Sequence, residues 1–301
     1  MLSVAPLSAD HSADFILAMP VDASGIQQEI VAEVLAALQA DCLDLPVLPE
    51  MALKIQKLID DPDSSTDQFV RLIATDLTVS LCLIKAANSA ELFNGHPVGN
   101  LYDAIPRLGY QMLYSMVMNI VLTNLFRANS RLIDRKLKEL WTRSRTVAVN
   151  SYVLAQHQKH LKPEDAMLVG LVHEIGALPL YLYADRHHPE ITPATLESLI
   201  ATFSAVVGLR ILQSWNFPEQ LVDVVAEQLD LWIKPKASVA DYVDVLAMAK
   251  LLGQETEKDF QWRSVPAAER LGNYPGDCKK FKTIHAAQFS AVRSMLGIDE
   301  G

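Results

Sequence analysis

Two adjacent residues, His173 and Glu174, hold the side chains best suited to chemistry in this 301-residue chain, because they interrupt a run that is otherwise apolar from Ala166 to Leu178. An imidazole and a carboxylate can both ligate a divalent ion, and a metal-bound water becomes a nucleophile near neutral pH. They can equally form a hydrogen-bonded polar knot, since burying such groups without partners is costly. Other candidates read as surface. His157 and His160 stand at i, i+3 beside Gln158 and Lys159, as at a solvated helix end, although that spacing also suits a metal. His187-His188 follows Asp185-Arg186 in what reads as a turn, or as a cover for the His173 cleft. Arg127, Arg131, Arg135, Lys136, Lys138, Arg143 and Arg145 make a locally basic stretch, either an exposed helix face or a docking patch for an acidic partner or anion. No Ser-His-Asp or Cys-His order, phosphate-cradling glycine loop or nucleophile elbow stands out, which argues against acyl transfer and P-loop nucleotide hydrolysis.

The elements that must position these groups read as helices. Pro163 suits the first position of a helix, and Glu164 and Asp165 place negative charge at its positive end. Ala166 to Val172 is apolar on every face, so a central buried helix is expected there, with His173 and Glu174 about 100° apart around it. Gly170 and Gly176 flank His173 and would let another backbone or a ligand come close.

Upstream, Ser24 with Gln27 makes a capping box for a helix through Ala40, carrying Ile26, Ile30, Val34 and Leu38 on one face. Leu45-Pro-Val-Leu-Pro49 leads to a helix ending near Ile59. The turn Asp60-Asp-Pro-Asp-Ser64 follows, and Ser65 with Gln68 caps the next helix. Asp76 and Asn100 suit caps, Asn88 and Ser89 a helix end, and Gly109 a left-handed position after a helix that Pro106 should kink or shorten. Helices are expected over Tyr110 to Phe126 and Ile133 to Gln158. Others should run from Pro193 to Trp215, Pro218 to Leu231, Val239 to Leu252 and Thr283 to Leu296. Loops and at most a short helix remain for Gly253 to Lys280.

Gly170-Leu-Val-His-Glu-Ile-Gly176 resembles the G-L-x-H-D-I-G signature of HD-type metal phosphohydrolases, with Glu174 in place of the aspartate. The ordered succession upstream extends that likeness: Leu45-Pro-Val-Leu-Pro49, Asp61-Pro-Asp-Ser-Ser65, Asp76-Leu-Thr78, Ala87-Asn-Ser-Ala90 and Ala104-Ile-Pro-Arg-Leu-Gly109. Together they are similar to the HDOD branch, the HD-related output domains of bacterial signalling proteins. The resemblance implies an all-α fold: an HD-like multi-helix bundle with an N-terminal helical subdomain. Residues 1–39 would then be an arm and helix, 40–131 the N-terminal subdomain, and 132–301 the HD-like subdomain with its C-terminal helix, with a cleft near His173 and Arg143.

An active HD hydrolase gathers several histidines and aspartates around one or two metals. On the positions the resemblance implies, Arg143 stands where a first ligand histidine would be, and a guanidinium cannot ligate a metal. Ser204 takes the histidine of an H-x-x-x-G segment, Gln228-Leu229 fall on a histidine pair, and Met248 falls on the last aspartate, with Asp244 one turn away as a possible substitute. His173 and Glu174 remain, short of the three or four protein ligands of a firm site. The expectation is therefore a vestigial metal site or a polar knot with Arg143 as counter-ion, with Arg143, Ser204 and Gln228 as cleft residues.

Composition sets the outer limits. A formal charge of −10 argues against a nucleic-acid partner. Cys42, Cys82 and Cys278 are few and far apart, which suits small apolar core residues in a reducing cytosol rather than disulfides. The first residues lack a signal-peptide pattern, and polar breaks in the apolar runs argue against membrane spans. The leading expectation is a cytoplasmic regulatory protein acting on a signalling partner or small ligand, with no cofactor and with its oligomeric state open. The alternative is a phosphohydrolase using manganese, iron, nickel or magnesium on a nucleotide or cyclic dinucleotide.

Overall fold

The computed structural model describes residues 25–40, 42–227, 239–254, 265–272 and 278–298. The described residues form helices and no strand. These are α1 (Gly25–Gln39), α2 (Glu50–Asp60), α3 (Thr66–Ile73), α4 (Leu77–Ala87), α5 (Leu101–Leu108), α6 (Tyr110–Leu122), α7 (Arg131–Ala155), α8 (Pro163–Val172), α9 (Ala177–His187), α10 (Pro193–Ser214), α11 (Glu219–Glu227), α12 (Tyr242–Gly253), α13 (Pro266–Leu271), α14 (Cys278–Ile284) and α15 (Ala286–Met295). The fold is all-α, as expected. The Ser24 cap and Gln228 lie outside the described residues.

Local signals account for many of the boundaries. Gln68 Oε1 accepts from the Ser65 amide at 2.7 Å, closing the start of α3. Asp76 accepts from Val79 N and Asn100 from Asp103 N, each at 3.0 Å, so both caps form where the side-chain chemistry placed them. Pro106 sits inside α5, which ends two residues later at Leu108, with Gly109 as its C-cap. Gly109 has φ 74° and ψ 158°, a positive φ outside the left-handed helical well, and it joins α5 directly to α6.

The core is organised around α8. Ala166 to Val172 are all buried, and α8 packs against α6, α7, α11 and α12. Each large apolar side chain removed from water there contributes about 1.5–3 kcal/mol. Gly170 makes the closest of these crossings possible: a Cβ on it would come within 2.5 Å of Ala148 Cα on α7. On the other side of α7, Asn150 donates to the Ala249 carbonyl of α12 at 2.9 Å, in a buried position. Longer-range ties hold the N-terminal helices to the rest. Trp215 Nε1 donates to the Pro46 carbonyl at 2.9 Å, Gln56 to the Asn216 carbonyl at 3.0 Å, and Arg210 to the Leu38 carbonyl at 2.7 Å.

Several expectations need correction. The helix from Pro163 ends at Val172, and residues 173–176 form a turn before α9 resumes, with Ile175 N on the Val172 carbonyl and Ala177 N on the Glu174 carbonyl. Asp185, Arg186 and His187 are the last turn of α9 rather than a loop, and Asp185 accepts from the Asn129 and Ser130 amides ahead of α7. Cys42 is exposed and Cys82 half-buried, so neither is a core residue of the expected kind, and the Cys278 side chain lies outside the described ones. Two helical stretches, 163–187 and 193–214, are long and apolar enough to cross a membrane. The apolar window of the first is 83% buried within the fold, consistent with a core element broken by its turn.

Candidate functional site

His173 and Glu174 occupy the turn between α8 and α9, and their position follows from packing on both sides of it. Gly170 seats α8 on Ala148 of α7. Gly176 presses on α10, where a Cβ would lie 1.9 Å from the Ser204 carbonyl and 2.3 Å from Gly208 N. The approach that both glycines allow is therefore to a backbone and not to a ligand. Between these fixed points, His173 and Glu174 face a cavity of about 160 Å³. Thr142, Arg143 and Thr146 of α7 line one wall, and Lys250 with Gly253 and Gln254 at the end of α12 line another.

The imidazole is held firmly. His173 Nδ1 lies 2.8 Å from the Gly170 carbonyl, which can only accept, so Nδ1 carries the proton and Nε2 presents a lone pair. Nε2 lies 3.8 Å from Glu174 Oε2. The two side chains thus turn toward one another at the break instead of diverging around a regular helix. Burial pulls His173 down to about 4; Glu174 opposes this, and Lys250 and Arg143 reinforce it. The imidazole is neutral at ordinary pH.

Glu174 is held by charge rather than close contact. Arg143 Nη2 stands 3.6 Å from Glu174 Oε2, beyond hydrogen-bond length, with the Arg143 side chain 55% exposed and that of Glu174 32% exposed. Lys250 is more deeply placed: burial lowers its ammonium below the usual lysine range, and Glu174 works against that shift. Lys250 escaped the sequence reading. Its signal was the one that singled out His173, a charge within an apolar helix, shared on α12 only by Asp244.

The remaining candidates lie elsewhere. Ser204 is not among the cavity's lining residues, and its carbonyl packs on Gly176. Asp244 is not a substitute ligand: it is 1% exposed, accepts from Arg270 Nε at 2.8 Å and from Arg270 Nη2, and receives the Asp241 amide at 3.1 Å. Met248 is fully buried. His187 stacks on Tyr183 and His188 Nε2 lies 3.0 Å from Glu33, so neither covers the cleft. His157 and His160 are exposed as expected, though His157 also packs edge-on against His285. In the basic stretch, Lys136, Lys138 and Arg135 pair with Glu197, Asp134 and Glu139, and Arg145 binds Asn119 Oδ1 and the Leu296 carbonyl. That stretch is largely engaged within the chain.

Among the described residues no three His, Cys, Asp or Glu side chains come together as a metal would require. The groups bordering Glu174 include a guanidinium and an ammonium, which ligate nothing while protonated. This donor set does not fit a divalent ion.

The chain belongs to the HDOD domain family, whose profile matches residues 45–231. It is 26% identical over 206 residues to an uncharacterized protein of Treponema pallidum (strain Nichols), a match spanning 64% of this chain and 39% of that relative. Among solved structures, it is similar to a candidate metal-dependent phosphohydrolase from Shewanella amazonensis SB2B, with TM-score 0.71, 25% identity, and 91% and 99% of the two chains covered. An HDOD domain protein from Geobacter sulfurreducens shares the fold with TM-score 0.62, 20% identity, and 91% and 98% coverage.

Proposed function

We propose that this chain is a cytoplasmic regulatory HDOD domain that works by binding a signalling partner or small ligand and does not hydrolyse phosphoesters. One observation carries the reading: the cleft that holds His173 and Glu174 is bordered by Arg143, at the position where the resemblance implies a ligand histidine, and by a second cation, Lys250. A water in that cleft has a neutral imidazole and a counter-ioned carboxylate beside it. Those two groups supply neither the bridging charge nor the ligand count that turns water into a nucleophile at neutral pH.

The test is phosphate release from phosphomonoesters, phosphodiesters and cyclic dinucleotides with manganese, iron, nickel or magnesium, set beside His173→Ala. The expected result is no turnover above that of the variant. Turnover that His173→Ala abolishes would establish the second reading, a metal-dependent phosphohydrolase. The likeness to the Shewanella amazonensis protein favours that alternative.

A further inference from the structure

The cleft's misfit to a metal has an internal explanation. Glu174 brings one negative charge to it. α12 ends in the cavity's wall at Gly253, and the carbonyl end of a helix carries roughly half a negative charge; α8 also ends beside the cavity, but the amide end of α9 opens in the same turn and offsets that half charge. The sum is about one and a half negative charges. Arg143 and Lys250 bring two positive charges from two different helices to the same cavity. The two cations thus cover the negative charge gathered at the cavity.

We propose that Arg143 and Lys250 together stand in for a divalent metal, pinning the turn between α8 and α9 to α7 and α12. The arrangement around Glu174 suits that role. Its carboxylate sits 3.6 Å from Arg143 and 3.8 Å from the Nε2 lone pair of His173, so two acceptors face each other across a gap that needs positive charge to be stable. Arg143, half-exposed, closes the outer side. Lys250, reaching from the last turn of α12, lines the wall and acts electrostatically on both His173 and Glu174. The inference concerns what holds the site, and it stands or falls separately from the absence of turnover.

The experiment is thermal unfolding of the full chain in EDTA and in saturating manganese or nickel at matched ionic strength, for wild type, Lys250→Met, Arg143→Ala and Lys250→Met/Glu174→Gln. Wild type should keep one melting temperature in all buffers. Lys250→Met should melt several degrees lower in EDTA and regain at least half the loss with the metal. The double variant should recover stability in EDTA and lose the metal response, because the unbalanced carboxylate is gone. Metal-induced stabilisation of wild type equal to that of the variant would overturn the proposal, as would a Lys250→Met loss that neither metal nor Glu174→Gln relieves. Arg143→Ala should lose less, because Arg143 is solvent-screened, and if Lys250→Met does not fold, Lys250→Gln, which keeps the stem and a polar head but removes the charge, decides by the same criteria. Wild-type metal binding without phosphoester cleavage would sink this inference and leave the proposed function standing.

Discussion

Gly176 and Glu174 are two residues apart in one turn, yet their surroundings are opposites. On the Gly176 side, two backbones meet with no room for a methyl group: an added Cβ would lie 1.9 Å from the Ser204 carbonyl. On the Glu174 side the neighbouring guanidinium and neutral imidazole stand off at 3.6 and 3.8 Å, over a cavity of about 160 Å³. The tight face positions the turn, and the loose face leaves its polar groups room to respond. A signature whose glycines and polar residues seem to serve one purpose divides into a steric half and an electrostatic half. The steric half is closely packed, and among the described residues no three metal-ligating side chains converge on the electrostatic half.

The sharpest way to break this contrast is on the tight face. Gly176→Ala must push α9 away from α10, and overpacking of that kind costs about 3 kcal/mol or more when the obstacle is backbone. Gly208→Ala, on the opposite surface, places its Cβ 3.5–3.6 Å from Gly176 and Val225, ordinary contact distances. It should shift stability by less than about 1 kcal/mol. Urea unfolding of the two variants checks both values, and equal losses would show that the interface yields on either side.

The next effect is electrostatic and depends on pH. His173 binds a proton in the unfolded chain near pH 6.5 but in the folded one only near 4, so between those values the unfolded state holds more protons and stability falls as pH falls. The loss from this group begins as pH drops through about 6.5 and is complete below about 4, amounting to about 3 kcal/mol. Chemical denaturation of wild type and His173→Asn across that window should give a shallower slope for the variant. Parallel profiles would mean that the imidazole is solvated in the native state.

How much of this was legible beforehand depends on how far each signal reaches along the chain. Ser65, Asp76 and Asn100 act within one turn, so their caps were readable. Pro163 and Pro193 likewise opened their helices as their ring geometry allows. The break at 173–176 was hidden because an apolar run looks the same on either side of it, and Pro179, the third residue of α9, is tolerated in a first turn. The turn also lies against the backbone of α10 at Gly176, a contact that only the tertiary fold supplies. Asp244 was misjudged for the same reason: its partner Arg270 lies 26 residues away. Lys250 drew no notice because a cation near the carbonyl end of a helix is ordinary, and only the meeting of α12 with the turn after α8 makes it a neighbour of Glu174.

The smallest effect is at Arg143, the solvent-screened member of the loose face, and it sharpens the comparison because little should happen there. Arg143→Ala removes a partner that is 55% exposed and 3.6 Å from Glu174, a pair of the kind that contributes about 0–1 kcal/mol in water. Its stability loss should stay within that range at low salt and shrink further at 1 M sodium chloride, where charges are screened beyond about 3 Å. Thermal melts at the two salt concentrations measure it. A loss as large as that of Gly176→Ala, unaffected by salt, would mean that the guanidinium packs as a steric element and that the two faces of the turn are built alike.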